Sequence, residues 1–211
     1  MKENYQLILE NTIKTHCADG KRPSLLLHAC CAPCSSYVLE YLTKFFDITL
    51  FFYNPNISPE EEHTQRFDEL CRFVREAELS GVAKVIKGEY EYEKFLEISR
   101  GMEDLSEGGA RCAKCYALRL EESAKVAAEG RYDFFTTTLS ISPYKNAQWL
   151  NEIGKKMSEK YGVSYLFSDF KKKNGYKRSC ELSAIYGLYR QDYCGCEFSK
   201  KEKEARENSH E

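Results

Sequence analysis

Two hydrophobic periods alternate along the chain. Five short apolar runs, Ser24–His28, Ile48–Tyr53, Val82–Ile86, Tyr132–Thr138 and Val163–Phe167, are leucine-rich, β-branched or aromatic, and each predicts a strand. Between them, helical patterns are expected at about Cys34–Phe45, Ser58–Leu79, Tyr92–Ser99, Ala113–Ala128, Ala147–Tyr161 and Tyr176–Tyr189, with a short helix and a Cys17-bearing loop in residues 1–22. Ser58-Pro59-Glu60-Glu61 supplies a cap, a proline and an acidic first turn; Phe67, Leu70, Cys71, Val74 and Ala77 then share a face, which makes Cys71 a packing residue. Cys180, in line with Ala184 and Leu188, is assigned to the core in the same way.

Five alternations of strand and helix argue for an α/β fold, a largely parallel sheet of about five strands with helices on both faces. Residues 1–198 are expected to form a single α/β catalytic domain, and the charged stretch 199–211 a flexible tail. Such a sheet binds ligands outside the carboxyl ends of its strands. There the first apolar run, Leu25-Leu26-Leu27-His28, breaks into Ala29-Cys30-Cys31-Ala32-Pro33-Cys34-Ser35, with Pro33 opening a helix.

Composition narrows the meaning of those thiols. The 211 residues carry a net charge of −2, 13% aromatics and ten cysteines. No apolar run approaches the ~20 residues of a membrane span. Met1-Lys2-Glu3-Asn4-Tyr5 lacks signal-peptide architecture, so a reducing cytoplasm is expected, where ten cysteines are a poor disulfide framework and metal binding or redox catalysis is the default. The net charge opposes a global grip on nucleic acid, but Lys171-Lys172-Lys173-Asn174-Gly175-Tyr176-Lys177-Arg178 is a local basic patch able to meet phosphates.

Seven of the ten cysteines fall in three groups: Cys30, Cys31 and Cys34; Cys112 and Cys115; Cys194 and Cys196. Free cysteine is a common core residue, yet grouping at element boundaries fits ligation better. Cys112 and Cys115 are expected on the first turn of a helix, where the dipole favours thiolate. Four thiolates hold either zinc or a four-iron, four-sulfur cluster; adjacent Cys30 and Cys31 suit the separated attachment points of a cluster better than one compact tetrahedron. Cys194-Gly195-Cys196 fits a strained, labile disulfide or a second metal site. His28, Tyr116, Tyr144, Lys145 and Tyr193 are further polar candidates near these groups. Each has an ordinary structural alternative.

The ordered set His28-x-Cys30-Cys31-Ala32-Pro33-Cys34-Ser35, Arg111-Cys112-x-x-Cys115-Tyr116, Ser142-Pro143-Tyr144-Lys145 and Tyr193-Cys194-Gly195-Cys196 resembles the QueH family of epoxyqueuosine reductases, from about Leu25 to Phe198. The resemblance implies a Rossmann-like, adenine nucleotide alpha hydrolase-like fold and a cobalamin-independent reduction of epoxyqueuosine to queuosine in the tRNA anticodon loop. It further implies a [4Fe-4S] cluster on Cys30, Cys31, Cys112 and Cys115. Cys194 and Cys196 would be a catalytic redox pair or share an additional iron ion, for which Cys34 is a candidate ligand. Tyr144, Lys145, Lys171, Lys172, Lys173, Lys177 and Arg178 are the candidate substrate-binding residues. The partners expected are that tRNA and an electron donor the sequence does not identify. Two other readings compete: an ATP-dependent tRNA-modifying enzyme of the same fold, disfavoured because Ala29–Pro33 has no glycine to cradle pyrophosphate, and a non-catalytic zinc module.

Overall fold

The computed structural model describes residues 3–208. Five parallel strands, β1 (Ser24–His28), β2 (Asp47–Phe52), β3 (Ala83–Lys87), β4 (Phe134–Thr137) and β5 (Ser164–Tyr165), lie in the order β3-β2-β1-β4-β5. The chain runs outward from β1 to β3 and then returns to the other side of β1. The expected α/β architecture is therefore present, with its topological switch point between β1 and β4, where ligands of such folds bind.

Alternation along β1 separates two cores. Leu25 and Leu27 face one side with Ile48, Leu50 and Phe52, and are covered by α1 (Tyr5–His16), α2 (Ala32–Leu42) and α3 (Glu60–Glu76) through Leu9, Ile13, Val38, Leu39, Leu42, Leu70 and Phe73. Leu26 faces the other side with Phe51, Phe135 and Tyr165, beneath α5 (Ala110–Glu129) and α6 (Ala147–Tyr161). Phe95 of α4 (Tyr92–Ser99) packs with Cys115 and Cys196 in a third, small cluster.

Helix limits depart from expectation where caps decide them. Cys31 is the N-cap of α2, so Cys34 lies inside its first turn rather than opening the helix. α5 begins at Ala110 after Gly109; Cys112 is on the first turn, but Cys115 falls on the second, which corrects its expected position. On α3 the buried stripe is Glu62, His63, Arg66, Leu70, Phe73 and Val74, and Cys71 is half-buried. α7 (Gly175–Ile185) buries Ser179, Leu182 and Ser183 and stops before Leu188; Cys180 is half-buried, so its core assignment is also corrected. β5 is only two residues long, although the Leu166 amide still donates to the Phe135 carbonyl of β4 at 2.9 Å.

Residues 199–208 of the charged stretch are helical, part of α8 (Glu197–Asn208). Lys201–Glu197 and Arg206–Glu202 pairs at i,i+4 support it. Glu202 also accepts from the Glu107 amide at 2.9 Å. Residues 209–211 of the expected tail, and Met1 and Lys2, lie outside the described residues.

Candidate metal centre

Three polar side chains fasten the carboxyl edge before any thiol is considered. The His28 Nδ1 accepts from the Thr137 hydroxyl at 2.8 Å, and Thr137 Oγ1 accepts from the Leu139 amide at 3.1 Å. The proton then sits on Nε2, which donates to the Tyr53 carbonyl at 3.0 Å. Burial, reinforced by the Arg119 charge, pushes His28 down to about 3, so the ring is a neutral strut joining β1, β2 and β4. Asn54 donates to the Ala29 carbonyl at 2.9 Å and fixes the turn that carries the cysteines.

On that edge the Sγ atoms of Cys30, Cys31 and Cys34 lie within 4.8 Å of one another, with Cys30 and Cys31 at 3.7 Å. The α2 start brings this about: residues 30 and 31 lead into the helix and residue 34 turns back over them. Hydrogen bonds from the Cys31 and Cys34 thiols outweigh burial and draw Cys30 well below the usual thiol range, with Arg119 helping. The cost falls on its neighbours: bonding to Cys30 pushes Cys31 up to about 12 and lifts Cys34 well above normal.

Cys112 and Cys115 approach from α5. The Gly108 amide points at Cys112 Sγ, 3.3 Å away, and Arg111 closes the preceding loop by donating to the carbonyls of Met102, Glu103 and Leu105. Burial lifts Cys115 to about 11, against the pull of Arg119.

Cys194-Gly195-Cys196 arrives last in the chain. Gly195 has φ +104°, and a Cβ there would lie 2.7 Å from Arg66 Nη1; both facts require glycine. Arg66, paired with Glu62 at 2.7 Å, donates to the Cys194 carbonyl at 3.2 Å, and the Ser58 amide donates to the Gly195 carbonyl at 2.9 Å. Cys194 is drawn well below the usual thiol range by a hydrogen bond from Cys196, then by Lys145 and Arg119. Cys196 is raised in exchange.

The seven sequence-selected cysteines therefore occupy one neighbourhood around three buried cations. Arg119 faces Cys115, Cys30 and Cys194; Arg66 faces Cys31 and Cys194; Lys145 faces Cys194. Sequence reasoning missed Arg66 and Arg119. A basic residue on the inward stripe of an otherwise amphipathic helix was the available signal. Soft donors gathered around fixed positive charge fit an anionic metal–thiolate group in donor chemistry and in charge. Cys34 groups with Cys30 and Cys31, and among the described residues no other set of three or more histidine, cysteine or acidic ligands comes within 4.8 Å.

The other candidates divide. Tyr144, 76% exposed, Lys145 and Lys171–Lys173 line one cleft of about 830 Å³, together with Tyr5, Gly108 and Gln148. Lys145 is buried in this lining, as are Tyr5, Gln6 and Asp169; it is bonded to Glu107 at 2.7 Å and interacts electrostatically with Cys194. Of the basic patch, Lys171 pairs with Asp169, Lys173 with Glu10, and Arg178 with Glu40 and Glu181, whereas Lys172 and Lys177 have no carboxylate partner among the described residues. Lys177 and Arg178 lie on α7, away from the cleft lining. The Tyr116 hydroxyl is buried with no hydrogen-bond partner among the described residues, and Tyr193 lies under the Arg66 guanidinium at 5.5 Å.

A Rossmann-like parallel sheet with a cysteine cluster at the carboxyl end of its central strand defines a class of α/β proteins able to hold a metal, Cys30, Cys31 and Cys34 being already close enough to share one ion. Comparison with known proteins gives the family. A family profile described as epoxyqueuosine reductase QueH matches residues 25–202, and the chain belongs to that family. Similar proteins named "Epoxyqueuosine reductase QueH" include that of Staphylococcus epidermidis, 45% identical over 202 residues, covering 94% of this chain and 85% of the relative. That of Streptococcus pyogenes serotype M1 is 42% identical (95% and 79% covered), and that of Thermotoga maritima 38% (83% and 90% covered). No helix among the described residues is long and apolar enough to cross a membrane.

Proposed function

We propose that this chain reduces epoxyqueuosine in the anticodon loop of tRNA to queuosine, in the cytoplasm and without cobalamin. The observation that carries the reading is the convergence of seven cysteines from three distant stretches on one sheet edge, in a chain of the QueH family. Removing the epoxide oxygen to leave an alkene consumes two electrons and two protons. A [4Fe-4S] cluster, when bound, supplies electrons one at a time, and an additional iron ion would act as a Lewis acid towards the oxygen. Cys30, Cys31, Cys112 and Cys115 are assigned to the cluster. Cys194 and Cys196 act as a redox-active pair or hold the additional iron, with Cys34 as a further ligand.

The chain's own groups have distinct tasks in this reading. Arg66 and the Ser58 amide hold the Cys194–Cys196 turn in one conformation. Lys145, facing both the cleft and Cys194, holds a proton beside the departing oxygen. Tyr144 offers a face for an unstacked anticodon base, and Lys171, Lys172, Lys173, Lys177 and Arg178 meet phosphates. A separate redox partner delivers the electrons.

The test is anaerobic: protein loaded with iron and sulfide, excess chemical reductant, epoxyqueuosine tRNA, and nucleoside analysis of the product. Queuosine is expected from the wild type. The Cys194→Ser and Cys196→Ser variants should retain cluster absorption and form none. A fully loaded wild type that leaves the epoxide intact would overturn the assignment. A single ion on Cys30, Cys31 and Cys34 is the second reading, favoured by their close spacing; one metal per chain and no acid-labile sulfide would support it.

A further inference from the structure

Three buried cations face the sulfurs, but only two have an acid of their own. Arg66 is paired with Glu62 and Lys145 with Glu107, each at 2.7 Å. Arg119 has no carboxylate within ion-pair distance among the described residues, although only 2% of its surface is exposed. Its Nη2 donates to the Asn54 side-chain oxygen at 2.5 Å, and its Nε packs 3.3 Å from His28 Nε2, a nitrogen whose own proton is committed to the Tyr53 carbonyl. Neither neighbour carries charge. An arginine is always protonated, and an uncompensated buried charge is strongly destabilising. The groups able to balance this one are Cys30, Cys115 and Cys194, one from each of the three cysteine stretches.

We infer that Arg119 is the charge-balancing residue of the sulfur centre: its guanidinium takes its counter-charge from the anion the cysteines hold, and so tightens metal retention and raises the centre's reduction potential. The direction follows from Coulomb's law. Each electron taken up adds one negative charge, and a fixed positive charge in a low-dielectric site favours the reduced form. Arg119 touches no substrate in this account and acts as a positioning residue for charge. The inference rests on the metal reading above, since without a bound anionic group the guanidinium has only thiolates to balance it.

The test compares the wild type, Arg119→Gln and Arg119→Lys as full-length chains, metal-free and after anaerobic loading with ferrous iron and sulfide. Glutamine retains a donor for Asn54 and removes the charge; lysine retains the charge. Melting temperature is read in both forms, and midpoint potential by reductive titration of the visible absorption. The glutamine variant should melt at least as high as the wild type when metal-free, gain less on loading, and show a lower potential; the lysine variant should lie nearer the wild type in both gain and potential. An equal gain and an equal potential in the glutamine variant would overturn the inference. So would a glutamine variant that melts lower when metal-free or fails to fold, because Arg119 would then be a strut for Asn54 and His28. If the wild type itself takes up no iron, the metal reading fails first and the inference falls with it.

Discussion

The two faces of β1 are built for opposite purposes. On one, Leu25 and Leu27 meet Leu9, Val38, Leu42 and Phe73 in a core made almost wholly of hydrocarbon. On the other, one residue out of register, Leu26 gives way to His28, and the covering helix α5 presents Cys112, Cys115 and Arg119 towards the end of the same strand. The first face stabilises whether or not a metal is present. The second holds buried charge whose balance depends on sulfur, so the comparison separates what folds this protein from what would make it reactive.

The largest effect should come from the hydrocarbon face. Leu27→Ala leaves a cavity under α2 and should cost about 2–5 kcal/mol, read by denaturant unfolding, equally in the metal-free and loaded proteins. A cost confined to the loaded form would mean that the two faces are not independent.

Gly195→Ala probes the reactive face. Alanine is strained at φ +104° and its Cβ would press on Arg66, so the Cys194–Cys196 turn must shift. Turnover of epoxyqueuosine tRNA should fall about 10²-fold, the scale for ~1 Å misplacement of reacting groups, with iron content little changed. Undiminished turnover would show that the turn's conformation does not matter to the reaction.

His63 sits on the packing side but carries polarity without use. Both ring nitrogens are buried, with no hydrogen-bond partner among the described residues, between Phe52 and Tyr90. His63→Phe should therefore stabilise the protein by about 1–3 kcal/mol. Burial, with the charges of Lys87 and Arg66, pushes His63 down to about 4. The unfolded chain then binds a proton near the ordinary value of 6.5 while the folded one does not. This contribution is intact above 6.5 and is lost as pH falls towards 4, a loss the phenylalanine variant should reduce. Parallel pH profiles for the two proteins would remove His63 from the account.

Replacing Lys171, Lys172 and Lys173 together by Ala should have the smallest effect. Lys171 and Lys173 already have acidic partners, so tRNA affinity should weaken modestly and its salt dependence flatten by less than three full phosphate contacts would give. An unchanged salt slope would leave the patch a solvated loop.

The strands, their parallel arrangement and the three cysteine groups were legible because each rests on local pattern: apolar runs, helix starts, and thiols crowded at element boundaries. Other features depend on partners far away in sequence. Cys115 falls on the second turn because Gly109, not Cys112, ends the loop. Cys180 leaves the core because α7 buries a serine-lined stripe against its neighbours, which apolar spacing cannot reveal. Arg66 and Arg119 read as ordinary helical charges until α3 and α5 are docked with both side chains inward. The split of the basic patch, three cations neutralised by Asp169, Glu10, Glu40 and Glu181, equally requires the fold.

Iron and acid-labile sulfide per chain, measured after anaerobic loading of Cys112→Ser beside Cys71→Ser, tests the division of the molecule most directly. Both are single thiol losses from a helix, but Cys71 is a half-buried residue of α3 outside the three cysteine groups, and Cys112 is buried at the start of α5. The account predicts wild-type iron and sulfide in Cys71→Ser and a clear deficit of both in Cys112→Ser. Equal, full loading of the two variants would contradict it.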